Sequence, residues 1–332
     1  MEHIILMQSD LFFSIQNDTE FERSALSVFK HQYIYNTIYQ RFCNLLGITK
    51  TSVKCIDDIP YLPIQFFKQE KIISTTEEVQ KIFTSSGTTG NTTSKHYVSD
   101  LTVYENSFRK GFQYFYGDIT NYIVLALLPS YLERDGSSLV YMAEKLILDS
   151  NNSESGFYLH DTKKLIQTLK QLISKEKKVL LLGVSFALLD LIEDYDIKLN
   201  DRVVVMETGG MKGRRKEIIR EELHQILKDG FKISKIHSEY GMTELLSQAY
   251  SKGDGIFYCP PWMKVSIRNP EDALTPSGVN KTGGINIIDL ANLNSCSFLA
   301  TQDLGKINDN GSFEILGRFD HSDIRGCNLM AL

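Results

Sequence analysis

Three short runs, Tyr122–Leu128, Val179–Leu182 and Val203–Met206, carry no charged residue, and helical patterns separate them. Between the first two, Leu139, Val140, Ala143, Leu146 and Ile147 form one apolar stripe, and Leu165, Ile166, Leu169, Leu172 and Ile173 form another. Gly183-Val-Ser185 punctuates the second run, and a helix is expected over Phe186–Ile192. A strand that is apolar on both faces, followed by a crossover helix and another such strand, predicts a parallel sheet covered by helices. Upstream, residues 22–45 read as one helix, Tyr61–Phe67 as extended, and Leu101–Tyr114 as helical. From about residue 256 the pattern changes to short alternating strands, Val265–Ile267, Gly284–Ile288 and Phe313–Leu316, between Asn, Gly, Pro and Asp turns. The expectation is an α/β core over 1–255, a β-rich subdomain over 256–316 and a short terminal segment over 317–332.

Length and composition narrow the class. A chain of 332 residues can bury a large core, and 42% hydrophobic with 23% charged residues is ordinary for a globular protein. A net charge of −5, without a basic patch interleaved with aromatics, gives no reason to expect nucleic acid. No apolar stretch approaches a membrane span, and Ile4–Met7 is too short for a signal peptide. Five cysteines, Cys43, Cys55, Cys259, Cys296 and Cys327, are odd in number and lack CxxC spacing. They point to reduced thiols in a cytoplasm rather than to disulfides or zinc.

The chemistry is carried by loops. Thr84-Ser-Ser-Gly-Thr-Thr-Gly90, followed by Lys95, concentrates hydroxyls, glycines and a cation. Such a loop suits phosphate, since glycines let N–H groups approach an anion and the side chains add donors. It lacks P-loop spacing. The alternative is a flexible linker, against which the preceding Ile82-Phe83 argues for a strand feeding an ordered turn. Glu207-Thr-Gly-Gly210-Met-Lys-Gly213 follows the third apolar run, with a helix expected from near Arg215. Strand, double-glycine turn and helix N-terminus suit a nucleotide, or form a βα turn without a ligand. Ser238-Glu-Tyr-Gly-Met-Thr-Glu244 offers Tyr240 as a flat face, Thr243 as a hydroxyl and Glu244 as a Mg²⁺ ligand, or else it starts an N-capped helix. Thr301-Gln-Asp-Leu-Gly305 places Asp303 in a turn, to bind ribose hydroxyls or to make an Asx-turn. Gly317-Arg-Phe-Asp-His-Ser-Asp-Ile-Arg-Gly-Cys327 combines cations, acids and a thiol. Cys327 beside Arg325 is either an activated nucleophile or a small buried hydrophobe.

Taken in order from about residue 80 to the end, these five motifs resemble the acyl-adenylate-forming (ANL) superfamily. Within it the chain is most similar to the LuxE-type acyl-protein synthetases. Pro129-Ser-Tyr-Leu-Glu-Arg134, Cys259-Pro-Pro-Trp-Met-Lys264 and Ile324-Arg-Gly-Cys-Asn-Leu329 carry that closer resemblance. The resemblance implies a large adenylation domain of the α/β class, with parallel sheets covered by helices and a small C-terminal β subdomain. It implies that Ser85, Ser86, Gly87, Thr88, Thr89 and Gly90 hold the ATP β/γ-phosphates, supported by Lys95. Gly209 and Gly210 would flank the adenine, and Tyr240, next to Gly241, would stack on it. Thr243 would contact the α-phosphate, Glu244 would bind Mg²⁺, Asp303 the ribose hydroxyls, and Arg318 would sit at the ribose and hinge. Cys327 matches the acylated cysteine of the LuxE type. Superfamily members continue past the Gly-Arg-x-Asp motif into a lid domain with a catalytic lysine, whereas this sequence stops at Leu332; the full lid is expected to be absent.

The implied activity is AMP-forming: a carboxylic acid, expected to be a fatty acid, is activated by ATP and Mg²⁺ and transferred to Cys327 for delivery to a partner such as an acyl reductase. The alternatives are an acyl-CoA ligase or acyltransferase with a non-protein acceptor, and a non-catalytic nucleotide-binding subunit.

Overall fold

The computed structural model describes residues 9–86, 93–129, 135–209, 215, 218–272 and 274–319. Chain order begins with helices α1 (Asp18–Tyr35) and α2 (Thr37–Leu45), the short β1 (Leu62–Pro63), a helical turn α3 (Phe66–Gln69), and strands β2 (Lys81–Thr84) and β3 (Lys95–Val98). The crossover region follows as α4 (Leu101–Tyr116), β4 (Tyr122–Leu127), α5 (Ser138–Asp149), β5 (Gly156–Phe157), α6 (Thr162–Leu172), β6 (Lys178–Val184), α7 (Ser185–Asp194), β7 (Val203–Thr208), α8 (Arg220–Phe231) and β8 (His237–Tyr240). The last part is β9 (Ala249–Ser251), β10 (Ile256–Tyr258), β11 (Met263–Arg268), β12 (Thr282–Asp289), β13 (Phe298–Ile307) and β14 (Phe313–Arg318).

Among the described residues, one mixed sheet runs in the order β11-β12-β13-β14-β10-β9-β8-β7-β6-β4-β5, with β1 added parallel to β13. β5, β4, β6, β7 and β8 are parallel, and their apolar runs are buried because helices cover them. Gly183 allows α7 to approach β6 closely, since a Cβ there would lie 2.8 Å from Leu188 Cγ. Beyond β8 every pairing among β9 to β14 is antiparallel. β10 bonds to both β9 and β14, so strands on either side of residue 255 share this sheet. β2 and β3 form a separate antiparallel hairpin.

Four expectations are corrected. Tyr61–Phe67 is extended only in part, since Leu62–Pro63 form β1 while Phe66 and Phe67 begin the helical turn α3. Residues 22–45 are two helices, because Asn36 adopts an extended conformation, ends α1 and caps α2 by accepting from Tyr39 N–H at 2.9 Å. The helix expected from Arg215 starts at Arg220; Ile219 is extended, and the Arg215 guanidinium is engaged by Asp190 and Glu193 of α7. Asp303 lies inside β13 rather than in a turn, its Cα paired with that of Arg318 on β14. Gly305, which suggested the turn, sits instead at a register shift in that ladder.

Candidate active site

The hydroxyl-rich segment is the tip of the β2–β3 hairpin. Thr84 pairs with Lys95, and above them Ser85 N–H donates to Ser94 C=O at 3.1 Å while Ser94 N–H donates to Ser85 Oγ at 2.9 Å. These two bonds join the ends of the segment between β2 and β3; Gly87, Thr88, Thr89 and Gly90 lie outside the described residues. Ser86 and Lys95 are exposed at the base of that segment. Gly136 backs the hairpin: its carbonyl accepts from Thr84 N–H at 2.7 Å.

Facing this base is the segment after β8. It forms no helix, which removes the capped-helix reading of Ser238–Glu244. A buried backbone outside regular structure must find partners elsewhere, and here side chains from three elements supply them. His96 Nδ1 on β3 donates to Thr243 C=O at 2.8 Å. Asn292 Nδ2 donates to Glu244 C=O at 2.7 Å. Asp289, at the end of β12, accepts from Leu246 N–H and Ser247 N–H, both at 2.9 Å. Asn292 is steadied in turn by α1, where Gln32 Nε2 donates to Asn292 C=O at 3.0 Å. The Glu244 carboxyl is buried beside the Ser94 hydroxyl. Burial raises its pKa, while Ser94 and the more distant Arg318 and Lys68 act the other way. A buried carboxylate paid for only partly by such neighbours is a site that a cation would stabilise.

The other end of the same segment is built for a different group. Tyr240, buried at the end of β8, donates its hydroxyl to Asp303 Oδ2 at 2.7 Å. Arg318, exposed on β14, places Nε 3.6 Å from Asp303 Oδ1. Asp303 is raised by desolvation, opposed by the Tyr240 hydrogen bond and by Arg318, Arg268 and Arg220. Glu239, one residue before Tyr240, accepts from the Thr208 hydroxyl of β7. At Gly241 a Cβ would press on the Glu239 carboxylate, so the absence of a side chain there lets that carboxylate stay in place. Gly209 ends β7 at φ +65°, and its carbonyl accepts from Ser185 Oγ at 2.7 Å.

The structure thus gathers Ser85, Thr243 and Glu244 at one end, and Tyr240, Asp303 and Arg318 at the other, while Lys95 is exposed on the opposite face of β3. Gly209 sits on the loop after the strand next to β8. Gly210 and Cys327 lie outside the described residues. Ser94, His96, Asp289 and Asn292 were missed by sequence reasoning. Only the alternation leading into β3, which puts residues 94 and 96 on one side, gave any signal. Among the described residues, no cluster of three or more His, Cys, Asp or Glu could hold a metal ion unaided.

The family comparison is decisive, because the match to "Acyl-protein synthetase, LuxE" extends over residues 1–331. The chain belongs to the LuxE acyl-protein synthetase family. Its LuxE relatives include the long-chain-fatty-acid–luciferin-component ligase of Aliivibrio fischeri, 23% identical over 355 aligned positions, covering 99% of this chain and 92% of that one. The same-named ligase of Vibrio harveyi is 21% identical with the same coverage of both chains. Among solved structures, an open 2-hydroxyisobutyryl-CoA ligase with 2-HIB-AMP and CoA superposes with a TM-score of 0.68 at 11% identity, over 92% of this chain and 72% of that one. ATP-bound MatB from Rhodopseudomonas palustris gives 0.53 at 18% identity over 74% of this chain, which spans about half (49%) of the MatB chain. These likenesses show that this LuxE-family protein has the α/β fold of acyl-adenylate-forming enzymes. No described helix is long and apolar enough to cross a membrane.

Proposed function

We propose that this protein uses ATP and Mg²⁺ to convert a fatty acid to acyl-AMP and then takes the acyl group onto Cys327. The observation that carries this reading is the two-ended segment 240–244. A hydroxyl–carboxylate–guanidinium group suited to a nucleoside stands at one end, and a buried carboxylate against a hydroxyl-rich hairpin stands at the other. The names of the relatives specify a long-chain fatty acid.

In the first half-reaction a carboxylate oxygen of the acid attacks the α-phosphorus. The bond from that phosphorus to the bridging oxygen breaks, and pyrophosphate leaves. Asp303 accepts from the ribose hydroxyls and Tyr240 lies along the base, with Gly209 and Gly210 on the opposite side. Ser85, Ser86 and the hairpin tip, with Lys95, donate to the departing phosphates, and Thr243 to the α-phosphate. Glu244 fits Mg²⁺, which takes one or two carboxylates and completes its shell with phosphate and water; bound there, the ion would offset charge on the phosphate oxygens.

In the second half-reaction the Cys327 thiol gives its proton to solvent. The thiolate attacks the acyl carbonyl, a C–S bond forms, the C–O bond to phosphate breaks, and AMP departs. The other thiols support this choice. Burial pushes the Cys43 thiol up to about 12 and raises Cys259 and Cys296 further, so these three stay protonated and inert. Delivery of the thioester to an acyl reductase, the division at residues 255 and 316, and a reducing cytoplasmic setting belong to the same proposal. Four described thiols that are all free fit that setting.

The test uses acid-dependent ATP–pyrophosphate exchange and labelling of the protein by radioactive fatty acid without CoA. Cys327→Ser is expected to retain exchange and lose hydroxylamine-labile label, while Cys55→Ser retains both. Equal labelling of Cys327→Ser removes the role of that thiol, and label that appears only on added CoA replaces the reading with a CoA ligase.

A further inference from the structure

We propose that His96 is a positioning residue for adenylation, holding the Thr243–Glu244 backbone at a fixed distance from the phosphate hairpin. The inference rests on the function proposed above and assigns a role to a residue that it leaves unused.

Ser94, directly before β3, and His96 within it are both buried on one side of the chain, because side chains alternate along an extended segment. Ser94 reaches the Glu244 carboxyl, and His96 Nδ1 reaches the Thr243 carbonyl at 2.8 Å. One face of the hairpin thus grips two consecutive residues about 150 positions away, while Lys95 between them points to solvent. The carbonyl can only accept, so the ring proton is on Nδ1 and Nε2 is a bare acceptor. Nε2 is buried, and among the described residues it has no hydrogen-bond partner. The ring is fully buried and meets the edge of Phe67 with centroids 5.7 Å apart. Packing against Phe67 alone would be met by an apolar side chain, without the cost of an unpaired buried Nε2. What the imidazole adds is a donor at a set reach. It fixes the backbone that carries the α-phosphate hydroxyl and the metal carboxylate against the loop for the other phosphates. Misplacement by about 1 Å in such an arrangement lowers turnover on the order of 100-fold.

Three variants test this. His96→Asn keeps an N–H donor near the position of Nδ1, His96→Gln moves it toward Nε2, and His96→Leu removes it. Acid-dependent exchange is measured at varied ATP and Mg²⁺, with thermal unfolding in parallel. His96→Leu is expected to lose on the order of 100-fold in kcat, with KM for ATP changed less than about threefold. It also needs more Mg²⁺ for half-maximal rate. His96→Asn recovers most of the rate and His96→Gln does not. The comparison of Asn with Gln carries the test even where Leu does not fold. The proposal is overturned where His96→Leu exchanges within about threefold of the parent protein, or where Gln matches or exceeds Asn. Failure of the parent protein to exchange with any carboxylic acid instead overturns the underlying function.

Discussion

At the scale of single residues, Asp303 shows how a carboxylate is kept where burial disfavours its charge. Its charged form is supported by the Tyr240 hydroxyl at 2.7 Å and by the Arg318 guanidinium 3.6 Å away. Tyr240→Phe removes the shorter of these contacts while keeping the ring. The Asp303 pKa should then rise further, since hydrogen bonding to the charged form favours it. ATP binding by calorimetry is expected to weaken roughly tenfold, equivalent to one lost hydrogen bond to a charged group. The pH below which binding fails should move upward. Unchanged affinity and pH dependence would show that Asp303 does not meet the nucleotide. The residue types at this site were legible in the sequence, because Tyr240, Asp303 and Arg318 stand in motifs. Their mutual contacts were not, because β8, β13 and β14 come together only through the register of a sheet built from distant segments.

The element that matters most is the segment 241–248, which has no regular structure yet is held by side chains of β3, β12 and the turn after β12. Asp289 is its strongest anchor: wholly buried, it accepts from two backbone N–H groups of this segment and from the Ser247 hydroxyl. Asp289→Ala leaves those donors unsatisfied and should cost about 3 kcal/mol or more, read as a lower urea midpoint for unfolding. A midpoint within error of the parent protein would mean that water replaces the carboxylate. Such anchors are invisible to periodicity, since Asp289 sits at the end of an apolar strand and reads as ordinary turn punctuation. The same limit explains Asn36. Helical spacing continues through both α1 and α2, and only the capping geometry of one residue marks the break. By contrast β4, β6 and the first part of β7 were legible because burial on both faces leaves them almost wholly apolar, whereas the parallel β8, with buried Ser238 and Glu239, gave no such run.

For the whole molecule, buried ionisable groups tie stability to pH. Burial holds His96 down at about 4, against an ordinary 6.5. As pH falls from 6.5 towards 4 the unfolded chain binds a proton that the native protein refuses, so stability declines over that window. One fully buried histidine contributes roughly 3 kcal/mol to the decline. His237 is also lowered, to about 4, and acts in the same direction. The raised carboxyls of Glu244, Asp289 and Asp303 act oppositely, as their native forms hold protons longer than the unfolded chain. The His96 contribution is isolated by comparing thermal unfolding of the parent and His96→Asn proteins at pH 7.5, 5.5 and 4.5 (about 3 pH units, from above 6.5 to just above the native value of about 4). The variant should lose less on acidification, and parallel curves would show that His96 titrates normally. One further feature sets the reach of the chemistry. Directly after β14, Phe319 N–H donates to Gln302 C=O at 2.8 Å beside Asp303. From that anchor to Cys327 there are eight residues (327 − 319), a tether that spans at most about 26–29 Å when fully drawn out. In the reaction proposed above, a thiol within that contour length would meet the mixed anhydride at an effective concentration in the millimolar range, ahead of the thiol of any other chain.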